Sequence, residues 1–433
     1  MVKGAKKIVV SSKNQVPETL IKIINNNKAE LLIVEDAEVA LAQLSAQAYN
    51  YPARKLKIVA VTGTKGKTTS AFLLNHIFTS SGFKTALISG VYNLINQEKY
   101  PANLTTPKAD YVHAFFAECV NQDVEYVFME ASAHAFTLQR LYGINFVGAI
   151  FTNLDLEHLE FYKDMDEYFS AKLQILNHLS KGAPIIVNVD NFWGAKFYAQ
   201  TKQALSFGFQ NKNANFFIST LESKCDGLKF SLNIDKHSYV INSKLIGKFN
   251  AINIAMVASL SYKLNLSINN IVKAISSFEF VPGRMEKVLL KNGALAVIDY
   301  AHNPLSYNSV LPELKKIGKE LIVVFGAGGE RDASRRPLMG KAAAMWADKI
   351  ILTSDNPRSE DAANIIKDII FGIPKEFKCK IIIELDREKA IVLACQNSSK
   401  DSVIAILGKG PDNYQIIGDK KFFFSDKSVA AQN

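Results

Sequence analysis

Short apolar runs and helical stripes alternate along this chain. Residues 57–61, 85–88, 126–129, 147–151 and 184–189 are apolar runs of strand length, with helical patterns between them. After 57–61, Ala71, Leu74, Ile77 and Phe78 fall on one helical face, and Gly82 stands where a C-terminal cap is expected. Strands alternating with helices imply right-handed crossovers and a largely parallel sheet. Residues 205–245 break the rhythm and read as shorter strands joined by turns, with antiparallel pairing expected. Alternation resumes near Gly283, with strands expected at 294–299, 321–325, 349–353, 380–384 and 402–407, so a second open α/β domain is expected there. Ahead of these, 31–34 reads as a strand and 38–49 as a helix. No internal repeat or low-complexity tract interrupts the pattern.

A length of 433 residues suggests about three domains. At 48% hydrophobic and 21% charged, the chain can bury a core of ordinary size and is not a disordered segment. The formal net charge of +10 suits attraction of anionic substrates and equally a lysine-rich soluble surface. The lysines are spread along the chain, with no arginine-rich tail and no aromatic–basic interleaving, so no nucleic-acid partner is expected. Cys119, Cys225, Cys379 and Cys395 form no CxxC pair and no ligand-spaced set with histidine, which reads as reduced thiols. Residues 1–10 hold only a three-residue apolar run and do not read as a signal peptide. No stretch approaches the roughly 18 apolar residues of a membrane span. A cytoplasmic location with no membrane partner is therefore the expectation.

The strongest chemical signal is Gly63-Thr64-Lys65-Gly66-Lys67-Thr68, between a strand and a helix. A glycine-rich turn lets backbone N–H groups approach phosphate oxygens, and the helix that follows presents its positive end to them. Lys67 would neutralise the β- and γ-phosphates, and the Thr68 hydroxyl would ligate Mg²⁺. The plainer alternative is a turn with two lysines that merely caps a helix. Val61 stands where the full P-loop pattern has glycine, so the match is to the shorter GxxGK[ST] form. Glu130 follows the run 126–129 at the carboxyl edge of the sheet, where open α/β sheets bind ligands, and a carboxylate there suits Mg²⁺. A solvated strand end is the alternative. His158 follows 147–151 at the same edge. Lys172 lies on an apolar stripe with Phe169, Leu173, Leu176 and Leu179. It either snorkels to the rim or is carbamylated by CO₂ and serves as a carboxylate-like metal ligand.

Taken together, these residues resemble the Mur ligases of peptidoglycan synthesis, from about Leu41 to Asp426. The resemblance rests on VTGTKGKTT at 61–69, NLTTP at 103–107, MEASAH at 129–134, FTNLDLEHL at 151–159, YFSAK at 168–172, FNAIN at 249–253 and GRME at 283–286. DYAHNP at 299–304, FGAGGERDASRRPLMG at 325–340, TSDNPR at 353–358 and GKGPDNYQ at 408–415 follow in order. It implies an α/β chain of three domains: 1–55, shortened, for the UDP end of the substrate; 56–282, a central P-loop domain with a mostly parallel sheet; and 283–433, Rossmann-like, for the incoming amino acid. It implies an ATP-dependent ligase that adds meso-diaminopimelate to UDP-MurNAc-L-Ala-D-Glu through an acyl-phosphate. ATP would meet Gly63, Thr64, Lys65, Gly66, Lys67, Thr68, Thr69, Asn250, Arg284 and Asp299. Metal would fall to Thr68, Glu130, His158 and carbamylated Lys172, with Lys67, His158 and Lys172 in catalytic roles. Thr105, Thr106, Ser132 and Arg140 would hold the muramyl dipeptide. Arg331, Asp355, Asn356, Pro357, Arg358, Gly408 and Asp412 would hold the amino acid. A guanidinium in DNPR pairs bidentately with the second carboxylate of diaminopimelate, which lysine lacks. A monomer is expected, with ATP, the UDP-MurNAc-dipeptide and a diamino acid as its small-molecule partners.

The sequence also departs from the family pattern. No DSR-type stretch precedes the P-loop; the usual paired serines read Ser132-Ala133; the glutamine expected two residues before Arg140 is Leu138; and Gly-His-Glu reads Gly410-Pro411-Asp412. L-lysine in place of diaminopimelate is one alternative. The others are a related ligase of the folylpolyglutamate-synthase kind, against which DNPR and NLTTP argue, and an inactive nucleotide-binding homologue.

Overall fold

A strand buried on both faces must be apolar throughout, and a strand with one wet face alternates. Both kinds occur here. In Lys57–Thr62 every residue after the first is buried, whereas Leu228–Ile234 alternates buried and accessible positions. The computed structural model describes residues 6–12, 16–157 and 160–433. It divides into two compact units, Met1–Ser206 and Phe207–Asn433.

In the first unit, five parallel strands run in the order Ile185–Asn188, Phe146–Phe151, Lys57–Thr62, Tyr126–Glu130 and Thr85–Ile88. The hairpin Tyr92–Ile95 and Glu98–Pro101 extends the edge antiparallel. The register sets Val61 beside Glu130 and Thr62 beside Phe151, so the carboxyl ends of three strands align. Helix Lys67–Ser80 packs Phe78 against Tyr126 and Phe128, with ring centroids 4.6 and 4.9 Å apart. It ends at Ser81, followed by Gly82 at φ 94°, the left-handed turn that glycine permits. On the other face, Ile58, Ala60, Val127 and Met129 share a core with Phe116 and Phe136. Near the N-terminus, Lys7–Ser11 pairs in parallel with Glu30–Val34, and helix Glu18–Asn26 lies between them in the chain.

The second unit opens with an antiparallel meander, Phe216–Ser223, Leu228–Ile234 and His237–Ser243. Strand Ala204–Phe209 joins it parallel, not antiparallel as expected, pairing Phe207 with Phe216. Two helices follow, Lys248–Lys263 and Ile268–Ser277. A six-stranded sheet comes next in the order Glu286–Leu289, Leu295–Asp299, Ser402–Leu407, Glu320–Phe325, Lys349–Leu352 and Ile381–Ile383. It is parallel throughout except for the first pair. Helix Pro304–Ile317 begins as the local sequence demands: the Asn303 side chain accepts from the Ser306 N–H, and Pro304 needs no donor in the first turn. A small hairpin, Tyr414–Ile417 with Lys420–Phe423, turns at Gly418, φ 58°. The four cysteines are free; Cys119 and Cys395 are buried, while Cys225 and Cys379 are exposed.

Candidate active site

The first unit's site is built on a loop that only glycine can shape. Gly63 has φ 139°, and a Cβ there would lie 1.9 Å from Thr152 Oγ1. Gly66 has φ 85° and starts helix Lys67–Ser80 with no side-chain cap, the arrangement an anion completes. The chain after Phe146–Phe151 braces the loop. The Thr64 N–H donates to Asn153 O at 2.9 Å, the Lys65 N–H to Asn153 Oδ1 at 2.9 Å, and Thr152 Oγ1 to Lys65 O at 2.6 Å. Lys67 Nζ curls over the turn and donates to Gly63 O at 2.8 Å and Thr64 O at 2.9 Å. Thr64 Oγ1 lies 3.2 Å from the Tyr168 hydroxyl.

Glu130, 1% exposed, reaches this loop from the neighbouring strand. Its Oε2 accepts from Thr68 Oγ1 at 3.0 Å and its Oε1 from the Gly90 N–H at 2.8 Å. Lys172 arrives from helix Met165–Leu173, whose start is fixed by Asp164 accepting from the Glu167 N–H. Its side chain does not snorkel: it is 1% exposed, and Nζ donates to Gly63 O at 2.8 Å over the face of Tyr168. Burial, then the neighbouring Lys67, hold this amine well below the ordinary lysine range, against a smaller pull from Glu157. Lys65 pairs with Glu157 at 3.0 Å, and burial raises the Asp155 carboxyl. His158 lies outside the described residues.

Thr106 joins the next pair of expected residues. Its hydroxyl donates to Glu130 O at 2.8 Å and accepts from the Ser132 N–H at 3.0 Å, and its carbonyl accepts from Arg140 NH1 at 2.8 Å. Ser132 in turn caps helix Ala133–Thr137 through the Ala135 N–H. Thr105 lies under Gly90, where a Cβ would sit 3.1 Å from its Oγ1. Thr69 is buried in the first helical turn. The structure thus gathers Gly63 to Thr69, Glu130, Lys172, Thr105, Thr106, Ser132 and Arg140 at one sheet edge. Among the described residues no three His, Cys, Asp or Glu side chains come together as a metal cluster. The oxygens of Thr68 and Glu130 are nonetheless hard donors of the kind that would suit Mg²⁺.

In the second unit, a cavity of about 270 Å³ opens at the carboxyl ends of the six-stranded sheet. Arg331, Asp355, Asn356, Arg358, Gly408 and Asp412 all line it, as do Tyr300, His302, Arg335, Arg336 and Tyr414, which the motifs alone had not singled out as site residues. Pro357 is buried behind it, its carbonyl accepting from the Glu360 N–H. Gly408 has φ 111°, and a Cβ would lie 2.5 Å from Asp355 Oδ2. Buried Lys409 donates to Asn356 Oδ1 at 3.1 Å and stands 4.0 Å from Asp355 Oδ1. Arg358, at φ 52°, donates to Gly329 O at 2.5 Å. Arg336 is neutralised by Glu360 and Asp368 at 2.8 and 2.9 Å. Burial raises the Asp412 carboxyl.

The residues expected at ATP from this unit are arranged less uniformly. Asp299 accepts from the Met285 and Ala301 N–H groups, each at 2.8 Å, and so fixes the chain on both sides. Arg284 lies over the Tyr300 ring at 4.5 Å, and among the described residues its buried NH1 has no hydrogen-bond partner. Asn250 is turned onto Ile246 O at 2.8 Å and bonds to neither.

Comparison with known proteins finds two family domains along the chain. The description "Mur ligase middle domain" matches residues 61–261, and "Mur ligase, glutamate ligase domain" matches 283–410. UDP-N-acetylmuramoyl-L-alanyl-D-glutamate–2,6-diaminopimelate ligase of Syntrophomonas wolfei is 39% identical over 94% of this chain and 83% of its own. The enzyme of the same name from Phocaeicola vulgatus is 36% identical over 99% of this chain and 86% of its own. A solved structure of a ligase with that name superimposes with a TM-score of 0.71 at 26% identity, covering 98% of this chain and 91% of that one.

Proposed function

The chain belongs to the Mur ligase family, and on that premise we propose that it joins meso-diaminopimelate to the D-glutamyl carboxylate of UDP-MurNAc-L-Ala-D-Glu at the expense of ATP. The observation that carries the reaction type is the meeting of Thr68, Glu130 and Lys172 on one glycine-shaped loop. The amino acid follows from the second unit's cavity, whose Arg331 and Arg358 suit a second carboxylate and whose Asp355 and Asp412 suit ammonium groups.

A carboxylate is a poor electrophile until one oxygen becomes a leaving group. The acceptor's oxygen attacks the γ-phosphorus of ATP, the bond to ADP breaks, and an acyl-phosphate results. The amine then attacks the carbonyl carbon, a tetrahedral intermediate collapses, phosphate leaves with the electron pair, and the nitrogen loses a proton. The chain's share is positioning and charge: the amides of 63–69 cradle the phosphates, and Lys67 moves from its loop carbonyls to the transferring group. Thr68 and Glu130 would hold Mg²⁺, which when bound would supply the positive charge that lets one anion approach another. Lys172, its basicity lowered by burial and then by Lys67, would attack CO₂ through its free amine, lose a proton and serve as a carbamate ligand to that metal. His158 would join them, a role that rests on its motif alone. Thr105, Thr106, Ser132 and Arg140 hold the dipeptide end; Asn250, Arg284 and Asp299 serve ATP. Segments 1–55, 56–282 and 283–433 divide the work among the UDP end, the nucleotide and the amino acid. No described helix is long and apolar enough to cross a membrane; separately, the likeness to a family of peptidoglycan-precursor enzymes supports a cytoplasmic location, and a monomer is proposed.

Phosphate release from ATP that requires both UDP-MurNAc-dipeptide and diaminopimelate tests this. Release with L-lysine but not diaminopimelate would overturn the specificity and keep the class. ATP binding with no turnover on any muramyl peptide would overturn the ligase reading itself.

A further inference from the structure

The second unit's cavity takes its walls from two strands that are not neighbours. Asp355 and Asn356 follow Lys349–Leu352, Gly408 follows Ser402–Leu407, and Glu320–Phe325 lies between the two. Glu320–Phe325 pairs with both strands and spaces them within the sheet, but the segments that leave their carboxyl ends lie beyond that ladder. Arg387, the first residue of helix Arg387–Gln396, is fully buried beneath them. Its NH2 donates to Leu407 O at 3.0 Å, one residue before Gly408, and its NH1 to Ser354 O at 3.4 Å, one residue before Asp355. Asp426, equally buried, clamps the other side of the guanidinium, with Nε–Oδ1 and NH2–Oδ2 both 2.7 Å. One planar fork thus spans two strand ends and an acid from the chain's last helix, Asp426–Gln432. The walls themselves meet closely, since there is no room for a Cβ on Gly408 beside Asp355.

We propose that Arg387, oriented by Asp426, is a positioning residue that sets the width of the amino-acid cavity. It touches no substrate; it holds the carbonyls next to Asp355 and Gly408 at the separation that a diamino acid spans. This inference rests on the reading of that cavity given under Proposed function.

The test separates spacing from stability. Truncating Arg387 alone would strand a buried carboxylate, but replacing both partners by apolar residues is frequently neutral for folding. The double variant Arg387→Met, Asp426→Leu should melt close to wild type while its KM for diaminopimelate rises on the order of tenfold and its KM for ATP stays within about twofold. Arg387→Lys, which keeps the charge but cannot reach both carbonyls and the acid together, should shift the same constant in the same direction. If the double variant fails to fold, Arg387→Lys decides alone. Unchanged constants, or equal rises for ATP and diaminopimelate, overturn the positioning role while leaving the cavity's assignment intact. Wild-type protein that takes up no diamino acid in a calorimetric titration overturns the assignment, and the positioning role with it.

Discussion

A buried amine without an acid partner is tolerable only if it is neutral. Burial and then Lys67 push the Lys172 amine in that direction, which is why substitution should be severe and specific. If Lys172 serves the metal, Lys172→Ala should lower turnover by roughly 10- to 100-fold, with partial recovery in added formate or acetate. Undiminished turnover in the variant removes the carbamate from the mechanism. Gly63→Ala forces a Cβ into Thr152 at a φ that side chains resist, so affinity for ADP, read by calorimetry, should fall by at least about tenfold. Arg358→Ala should raise the KM for diaminopimelate on the order of tenfold with little change for ATP; parallel rises would take Arg358 out of amino-acid recognition. At this scale the sequence was legible wherever a residue's chemistry was at odds with its surroundings. Lys67 in a glycine turn and Lys172 on an apolar stripe stood out. Thr152, Asn153 and Arg387 did not, because a threonine, an asparagine and an arginine after a strand or at a helix start are ordinary until the fold shows what they brace.

Elements were legible where burial wrote the pattern. The strands expected at 85–88 and 402–407 are Thr85–Ile88 and Ser402–Leu407, every residue of both buried. Hairpin strands such as Lys420–Phe423, exposed at every position, left no alternation to read, although Gly418-Asp419 at the turn was a usable signal. The helix expected to run on past Lys172 instead tightens into the 3₁₀ turn Gln174–His178. Helix Ala109–Asn121 carries a consequence for acid stability. His113 is 1% exposed, among the described residues neither ring nitrogen has a hydrogen-bond partner, and burial depresses its basicity. Burial also depresses His178, opposed by its contact with Ile144 O. Both are neutral in the fold, while the unfolded chain gains protons below about pH 6.5. Stability is therefore complete above that pH and falls as pH drops towards the lower folded values. His113→Phe should flatten this decline in urea melts between about pH 6.5 and 5; identical slopes would acquit His113.

At the scale of the molecule, the glycine-shaped loop lies in Met1–Ser206 and the polar cavity in Phe207–Asn433, and each is expected to take its own ligand. A nucleotide at about a hundred times its Kd stabilises the folded state by about 2.7 kcal/mol. MgADP should accordingly raise the melting temperature, and chelation should remove most of the gain. A shift indifferent to chelation would mean that Thr68 and Glu130 hold no metal. The buried sulfurs offer a finer record. Cys119 belongs to the core of one unit and Cys395 to the core of the other, and burial keeps both thiols protonated. A maleimide reaches either only when its own unit opens, whereas Cys225 and Cys379 on the surface react at once and mark time zero. The chain thus carries one latent clock per unit: nucleotide should slow the first, diamino acid the second, and whether each ligand also slows the other clock would measure how far the two halves breathe together.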